Sequence, residues 1–246
     1  MITRRLALGG LAGALAGCDR ITTDPGVLDA IAGVERLNKG AHRLLTDRTA
    51  LAREYQPHER SPFFRTNGTS RPDNPVYLRH LATGFSDWRL VVDGAVRRPL
   101  ALALGQIMAL PARSQITRHD CVEGWSAIGG WTGPRLGPLL DAAGLLPSAR
   151  FIVFHCADVL GGTPYYESMD LVDAFHPQTI LAWGMNGRML DVGHGAPIRL
   201  RVERMLGYKH AKYIDRIEVR DSLDGLYGGR GGTWEDLARY EWYAGI

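Results

Sequence analysis

The sequence predicts a mixed α+β fold, with short helices set among strands of mixed sheets. Three observations carry this. Apolar and polar residues alternate in short runs at 88–92, 198–202 and 214–219, the period of half-buried strands. Asp93-Gly94 and Asn186-Gly187 each separate apolar runs, as hairpin turns do. The chain has no alternating βαβ series and no phosphate-loop glycine word.

In chain order, Val27, Leu28, Ile31, Val34 and Leu37 have helical spacing, which predicts a helix over 27–38, and a second helical piece over 41–55. From Ser61 the texture turns to Pro, Asn, Gly and Arg, predicting a long ordered loop over 62–78. A strand over 88–92 turns at Asp93-Gly94 into Ala95-Val96. Helices are expected near 104–109, 134–146 and 169–175.

The chain of 246 residues is 45% hydrophobic and 22% charged, the composition of a globular protein of one large domain or two small ones. Residues 1–18 stand apart. Arg4-Arg5 precedes an uncharged stretch over 6–17 that ends at Leu15-Ala16-Gly17-Cys18, the layout of an export signal and too short for a comfortable membrane span. The arginine pair resembles a twin-arginine signal, and Leu-Ala-Gly-Cys resembles a bacterial lipobox in which Cys18 is lipidated after cleavage. An uncleaved apolar anchor is the alternative. Residues 19–60 read as a partly helical tether and 61–246 as the main domain. Cleavage would remove Arg4 and Arg5 and no acid, leaving 27 basic against 26 acidic residues, so the overall charge of +3 makes no case for a nucleic-acid partner.

Beyond Cys18 the chain holds only Cys121 and Cys156. Cys121 follows Arg118-His119, and nearby positive charge favours the thiolate that binds soft metals or attacks electrophiles. Residue type alone leaves three options: a ligand or nucleophile at Cys121, a Cys121–Cys156 disulfide, or a zinc set of His119, Cys121, His155 and Cys156, whose spacing is not a usual zinc pattern.

The segment RHDCVEGWSAIGGWTG over 118–133 resembles the molybdenum-binding segment of the sulfite oxidase family of molybdopterin-dependent oxidoreductases. The likeness continues in order through 87–100, 102–111, 151–159, the HGAPIRL word within 165–202, GYKHAKYIDRIEV over 207–219 and the tail from Trp234, covering about 61–246. It implies a sulfite oxidase-type molybdopterin-binding fold. By the same resemblance Cys121 is the sulfur ligand to molybdenum, and His194, Arg199, His210, Ala211 and Lys212 match cofactor-binding positions. Phe63-Phe64-Arg65-Thr66-Asn67-Gly68 resembles the family's N-terminal cofactor loop; Asn67 is carried over to the cofactor, and Arg65 to catalysis one register step from the usual Arg-Asn-His. Cys156 falls where some relatives have a threonine that touches the cofactor, and Trp183 where sulfite oxidases carry a tyrosine near the metal, which weakens sulfite as the substrate. Tyr165 or Tyr166 is a substitute phenol.

The resemblance implies a molybdenum–molybdopterin cofactor and oxygen-atom transfer on a small oxyanion or sulfoxide, in a style closest to periplasmic methionine sulfoxide reductase catalytic subunits. No C-x-x-C-H haem word is present, so electrons are expected from a separate carrier, such as a membrane cytochrome, near a periplasmic enzyme held to the inner membrane through Cys18. A monomer is expected. The rival readings are a metal-free lipid-anchored binding module on the same scaffold and a domain stapled by Cys121–Cys156.

Overall fold

The computed structural model describes residues 24–246, so the features read at 1–18, Cys18 included, lie outside the described residues. The chain divides into two units at Asp47/Arg48. The described part of the first is one helix, α1 (Pro25–Leu45). Asp24 caps it, its carboxylate accepting from the amides of Gly26 and Val27 at 2.8 and 3.1 Å, and Pro25 occupies the first turn, where a missing N–H costs nothing. This single helix replaces the two expected pieces at 27–38 and 41–55.

The larger unit begins at Arg48 rather than at 61, because 48–60 runs extended along other strands of that unit. Glu54 bridges Thr117, the Tyr55 amide donates to the Ile116 carbonyl at 2.8 Å, and Ala52 exchanges two hydrogen bonds with the Gln178 side chain. Within the expected loop 62–78 a helix starts instead, α2 (Pro75–Ala82), whose Asn74 cap accepts from Val76 and Tyr77. Asn-Pro reads as a turn in sequence, and here it opens a helix.

Eleven strands form three sheets among the described residues. The largest contains β1 (Arg89–Gly94), β2 (Leu100–Ala103), β5 (Phe151–Leu160), β6 (Thr163–Asp170) and β11 (Ile214–Arg220) in the order β2-β1-β11-β5-β6, with only β1 and β11 parallel. A second joins β3 (Ala112–Asp120), β4 (Ser126–Pro134), β8 (Gly184–Met185) and β9 (Arg188–Met189), and a third pairs β7 (Ile180–Ala182) with β10 (Arg199–Arg201). Short helices fill the connections: α3 (Leu104–Ala109), α4 (Leu136–Ala143), α5 (Leu171–Ala174) and α6 (Thr233–Ala238).

The two expected hairpin turns differ. Asn186 and Gly187 have φ of 51° and 79°, the double positive φ of a tight two-residue turn, and they join β8 to β9 as expected. After Asp93-Gly94 the chain does not fold back at once. Ala95 donates to the Val219 carbonyl, and Arg97 and Arg98 donate to Gly144 and Ala143 at the end of α4, so the connection to β2 is a loop stitched to neighbouring elements.

Fully buried Leu90, Val92, Leu140, Ile152, Phe154 and Ile217 belong to one apolar core that joins the large sheet to its helices. The long β3–β4 hairpin carries residues 121–125 at its tip, and its register is pinned by inward Ala127, Trp131 and Gly133 on β4. At Gly133 a side chain would fall on the carbonyl of Leu181, and the bare Cα lets β4 lie close against β7. Gly133→Ala should therefore lower chemical-denaturation stability by about 2–3 kcal/mol, whereas Gly105→Ala in α3, with open space around it, should lower it by none.

Candidate active site

A cleft of about 420 Å³ opens at the tip of the β3–β4 hairpin. Four stretches far apart in sequence wall it: the loop at 66–69, the tip at 121–123, the β5–β6 strands through Asp158 and Tyr165, and the segment 207–212. Tyr208, Trp234 and Tyr240 add an aromatic side. Tyr240 stacks on Trp234 at 5.6 Å and 16°, and meets Tyr208 edge-on at 5.1 Å.

Cys121 lines the cleft, half-buried. A tight turn presents it: its carbonyl accepts from Gly124 at 3.0 Å, its amide donates to Trp125 at 2.9 Å, and Gly124 supplies a φ of 85°. Burial pushes the thiol up, against the pull of the Glu123 amide. The basic pair before it does not neutralise a thiolate. Arg118 is spent on Asp120 at 2.9 Å, and burial followed by the charge of Arg201 holds the His119 imidazole neutral. Cys121 and Cys156 are free thiols; Cys156 is buried on β5 outside the cleft lining, pushed up by burial.

Segment 207–212 brings His210 and Lys212 to the cleft. The His210 Nε2 lies 3.1 Å from the Met205 carbonyl, which fixes the proton there and leaves Nδ1, buried and without a partner, as an acceptor. Lys212 Nζ donates to the carbonyls of Asn67, Thr69 and Gly193 at 2.7, 2.5 and 3.0 Å. Burial and then Arg199 lower its pKa to about 7. Gly207 packs so tightly that a side chain there would meet His119 at 2.6 Å.

Arg199 starts β10 as expected, yet it is wholly buried and does not line the cleft. It donates to the carbonyls of His194 and His210, sits 4.9 Å over the Trp131 ring, and leaves Nε unpartnered. Burial and then Arg201 lower its pKa to about 9. Arg201 differs, because Glu203 grips it through two hydrogen bonds. Among the described residues, neither Arg199 nor Lys212 forms an ion pair with a carboxylate. Two buried cations held only by carbonyl oxygens are costly unless an anion joins them.

The other expected site residues fall in different places. Asn67 lines the cleft and holds Lys212 through its carbonyl, while Arg65, two residues earlier, is exposed and outside the lining. His194 binds Asp191 at 2.8 Å and the Phe64 carbonyl at 3.2 Å, tying the 64–67 loop to the HGAPIRL segment from outside the cleft. Ala211 is buried and accepts from the Leu200 amide. Trp183 lies outside the lining with its indole N–H unpartnered. Of the two phenols, Tyr165 faces the cleft, whereas Tyr166 donates to Asp236 on the opposite face of β6. Sequence reading missed Asp158, Thr66, Thr69 and the aromatic side. Asp158 sits where β5 is irregular, between His155 and Val159, and no period along the strand marks it. Burial raises its carboxyl to about 6.

The sequence matches the family model of the oxidoreductase molybdopterin binding domain over residues 79–225. The chain is 36% identical to a putative protein-methionine-sulfoxide reductase subunit, YedZ1, of Azospira oryzae over 99% of its length and 86% of that protein. It is 33% identical to the protein-methionine-sulfoxide reductase catalytic subunit MsrP of Campylobacter jejuni over 68% of its length, spanning 59% of that protein. Among solved structures it resembles the sulfane dehydrogenase SoxCD of Paracoccus pantotrophus, with a TM-score of 0.51 and 22% identity, over 56% of this chain and 39% of that one, a likeness of fold.

A lysine whose folded-state pKa lies near 7 instead of 10.5 binds fewer protons folded than unfolded in between, so stability rises as pH climbs through that window. For chain produced without cofactor, unfolding free energy should rise by roughly 2–5 kcal/mol from pH 7 to 10 relative to Lys212→Gln. Urea titrations of both proteins across that range measure the difference.

Proposed function

Because the chain belongs to the molybdopterin-binding oxidoreductases of the sulfite oxidase family, we propose that it is the catalytic subunit of a methionine sulfoxide reductase whose cleft holds the cofactor, with Cys121 as the protein ligand to molybdenum. The residues present fit such a group. A half-buried thiol lines the same cleft as Lys212, which forms no ion pair among the described residues, and as His210, whose buried Nδ1 has no partner. Arg199, which forms no ion pair among the described residues, adds a second positive charge behind that wall. Bound there, the cofactor supplies two-electron redox chemistry and exchange of an oxygen atom.

The chain's own residues do the rest. Lys212, His210 and the Asn67 loop bind and orient the anionic, polar parts of the cofactor, and Arg199 supplies field without contact. Tyr208, Trp234 and Tyr240 give the cleft an apolar side that suits the methyl and methylene groups of a thioether oxide. That wall is the observation that favours a sulfoxide over a small oxyanion.

The relatives carry the words subunit and catalytic subunit, which supports a separate electron carrier as partner. We further propose export through the segment 1–18 and tethering of the mature protein at Cys18, which keeps the enzyme beside a membrane-held donor. Residues 19–47 then serve as the tether and 48–246 as the catalytic domain.

Protein matured with its export segment should contain molybdenum and reduce methionine sulfoxide with an artificial electron donor. Cys121→Ser should keep its circular dichroism spectrum and lose at least about a hundredfold in kcat. Wild-type turnover in that variant, or a metal-free wild-type protein, would refute the assignment. Cys18→Ser should move the protein from the membrane to the soluble fraction, as read by fractionation.

A further inference from the structure

Behind the cleft lies a charge triad that ligand binding does not explain. Lys209, Glu167 and Glu235 are each about 1% exposed or less. Lys209 Nζ lies 2.7 Å from Glu167 Oε2 and 2.5 Å from Glu235 Oε1. Lys209 thus bridges the two carboxyls, and their Oε2 atoms crowd the same Gly232, where a side chain would strike both. Two carboxylates crowded together away from water repel unless one of them carries a proton. Two acids and one base in a dry site likewise balance only if one acid keeps its proton.

A path from the triad to the cleft runs through Tyr165. Tyr165 and Glu167 are two apart on β6 and share a face. The Tyr165 hydroxyl lies 3.5 Å from Glu167 Oε1 and 3.0 Å from the Tyr208 carbonyl, and its side chain lines the cleft. We propose that Glu167 and Glu235 share one stored proton opposite Lys209, and that Tyr165 passes it into the cleft during sulfoxide reduction.

This rests on the reductase reading above. Reduction breaks the S=O bond: a reduced one-electron carrier delivers two electrons in turn, sulfur takes them, and oxygen leaves as water with two protons. The shared proton is one of them and solvent supplies the other. Tyr165 accepts the carboxyl proton on its oxygen and releases its own toward the substrate oxygen, so the phenol is unchanged at the end of each transfer. Solvent then refills the pair.

Other groups around the triad reinforce storage. Cys156 and Asp158 bear on Tyr165 from β5, and neither brings positive charge. Burial, then Glu235, raise the Glu167 carboxyl well above the usual carboxylate range, while Lys209 alone opposes them. Burial followed by Glu167 raises the Tyr165 phenol, so it relays a proton without resting as a phenolate.

Infrared spectroscopy of the full-length holoenzyme at pH 8 tests the store directly. The wild type should show the C=O stretch of a buried protonated carboxylic acid, Glu167→Gln should lose it, and Tyr165→Phe should keep it. Glu167→Gln leaves Lys209 and Glu235 as a balanced pair and mimics the neutral acid in shape. In methionine sulfoxide reduction with reduced viologen, both variants should lose about tenfold or more in kcat with KM within about twofold, and a larger solvent isotope effect should accompany the loss. If Glu167→Gln does not fold, Tyr165→Phe carries the test, because it leaves the triad whole. Absence of the band from the wild type, or wild-type kcat in Tyr165→Phe, overturns the proposal. A wild type that shows the band and reduces no sulfoxide overturns the reductase reading and the relay with it, and leaves only the shared proton.

Discussion

Two buried cations that form no ion pair organise this molecule. Arg199 and Lys212 donate to carbonyl oxygens of Asn67, Thr69, Gly193, His194 and His210, and no carboxylate of the described residues closes on either. Carbonyl dipoles make such cations tolerable without cancelling them. The same contacts join the 66–69 loop, the HGAPIRL segment and the end of segment 207–212. A fold optimised for stability alone would place an acid there, as it does beside Arg201 with Glu203. The missing acid leaves room for an anion, and the cofactor of this family is one.

Charge is partitioned around the cleft. One wall is positive and polar, built from Lys212 and His210 with Arg199 behind. The other is aromatic, and beneath it the acids Glu167 and Glu235 outnumber Lys209. The positive wall suits a group that must stay bound through many turnovers, and the acidic side suits protons that must come and go. Tyr165 stands where the acidic side meets the cleft. In the proposed relay its hydroxyl is the group that moves the proton.

The centre of the site was legible in sequence because short words carry it. Cys121 sits in one unbroken motif, Lys212 and His210 in another, and Asn186-Gly187 turns as that dipeptide does anywhere. What escaped depended on contacts between distant segments. Asp158, Trp234 and Tyr240 reach the cleft only after β5 pairs with β6 and the C-terminal segment folds over them, and no local pattern encodes that. The turn at Asp93-Gly94 opened because Gly144 and Val219 offered hydrogen bonds that a two-residue hairpin would have forgone. Arg199 looked like a ligand arm, but β10 buries it, and its influence is a field. The path of the 64–69 loop brings Thr66 and Asn67 to the cleft and leaves Arg65 exposed, which no local pattern encodes.

The claim on which the rest depends is that the Cys121 sulfur binds molybdenum in this cleft. X-ray absorption at the molybdenum edge of natively matured protein tests it most directly, by comparing wild type with Cys121→Ser. The account expects one fewer sulfur neighbour around the metal in the variant, with the dithiolene sulfurs retained. An identical sulfur shell in both proteins would contradict it.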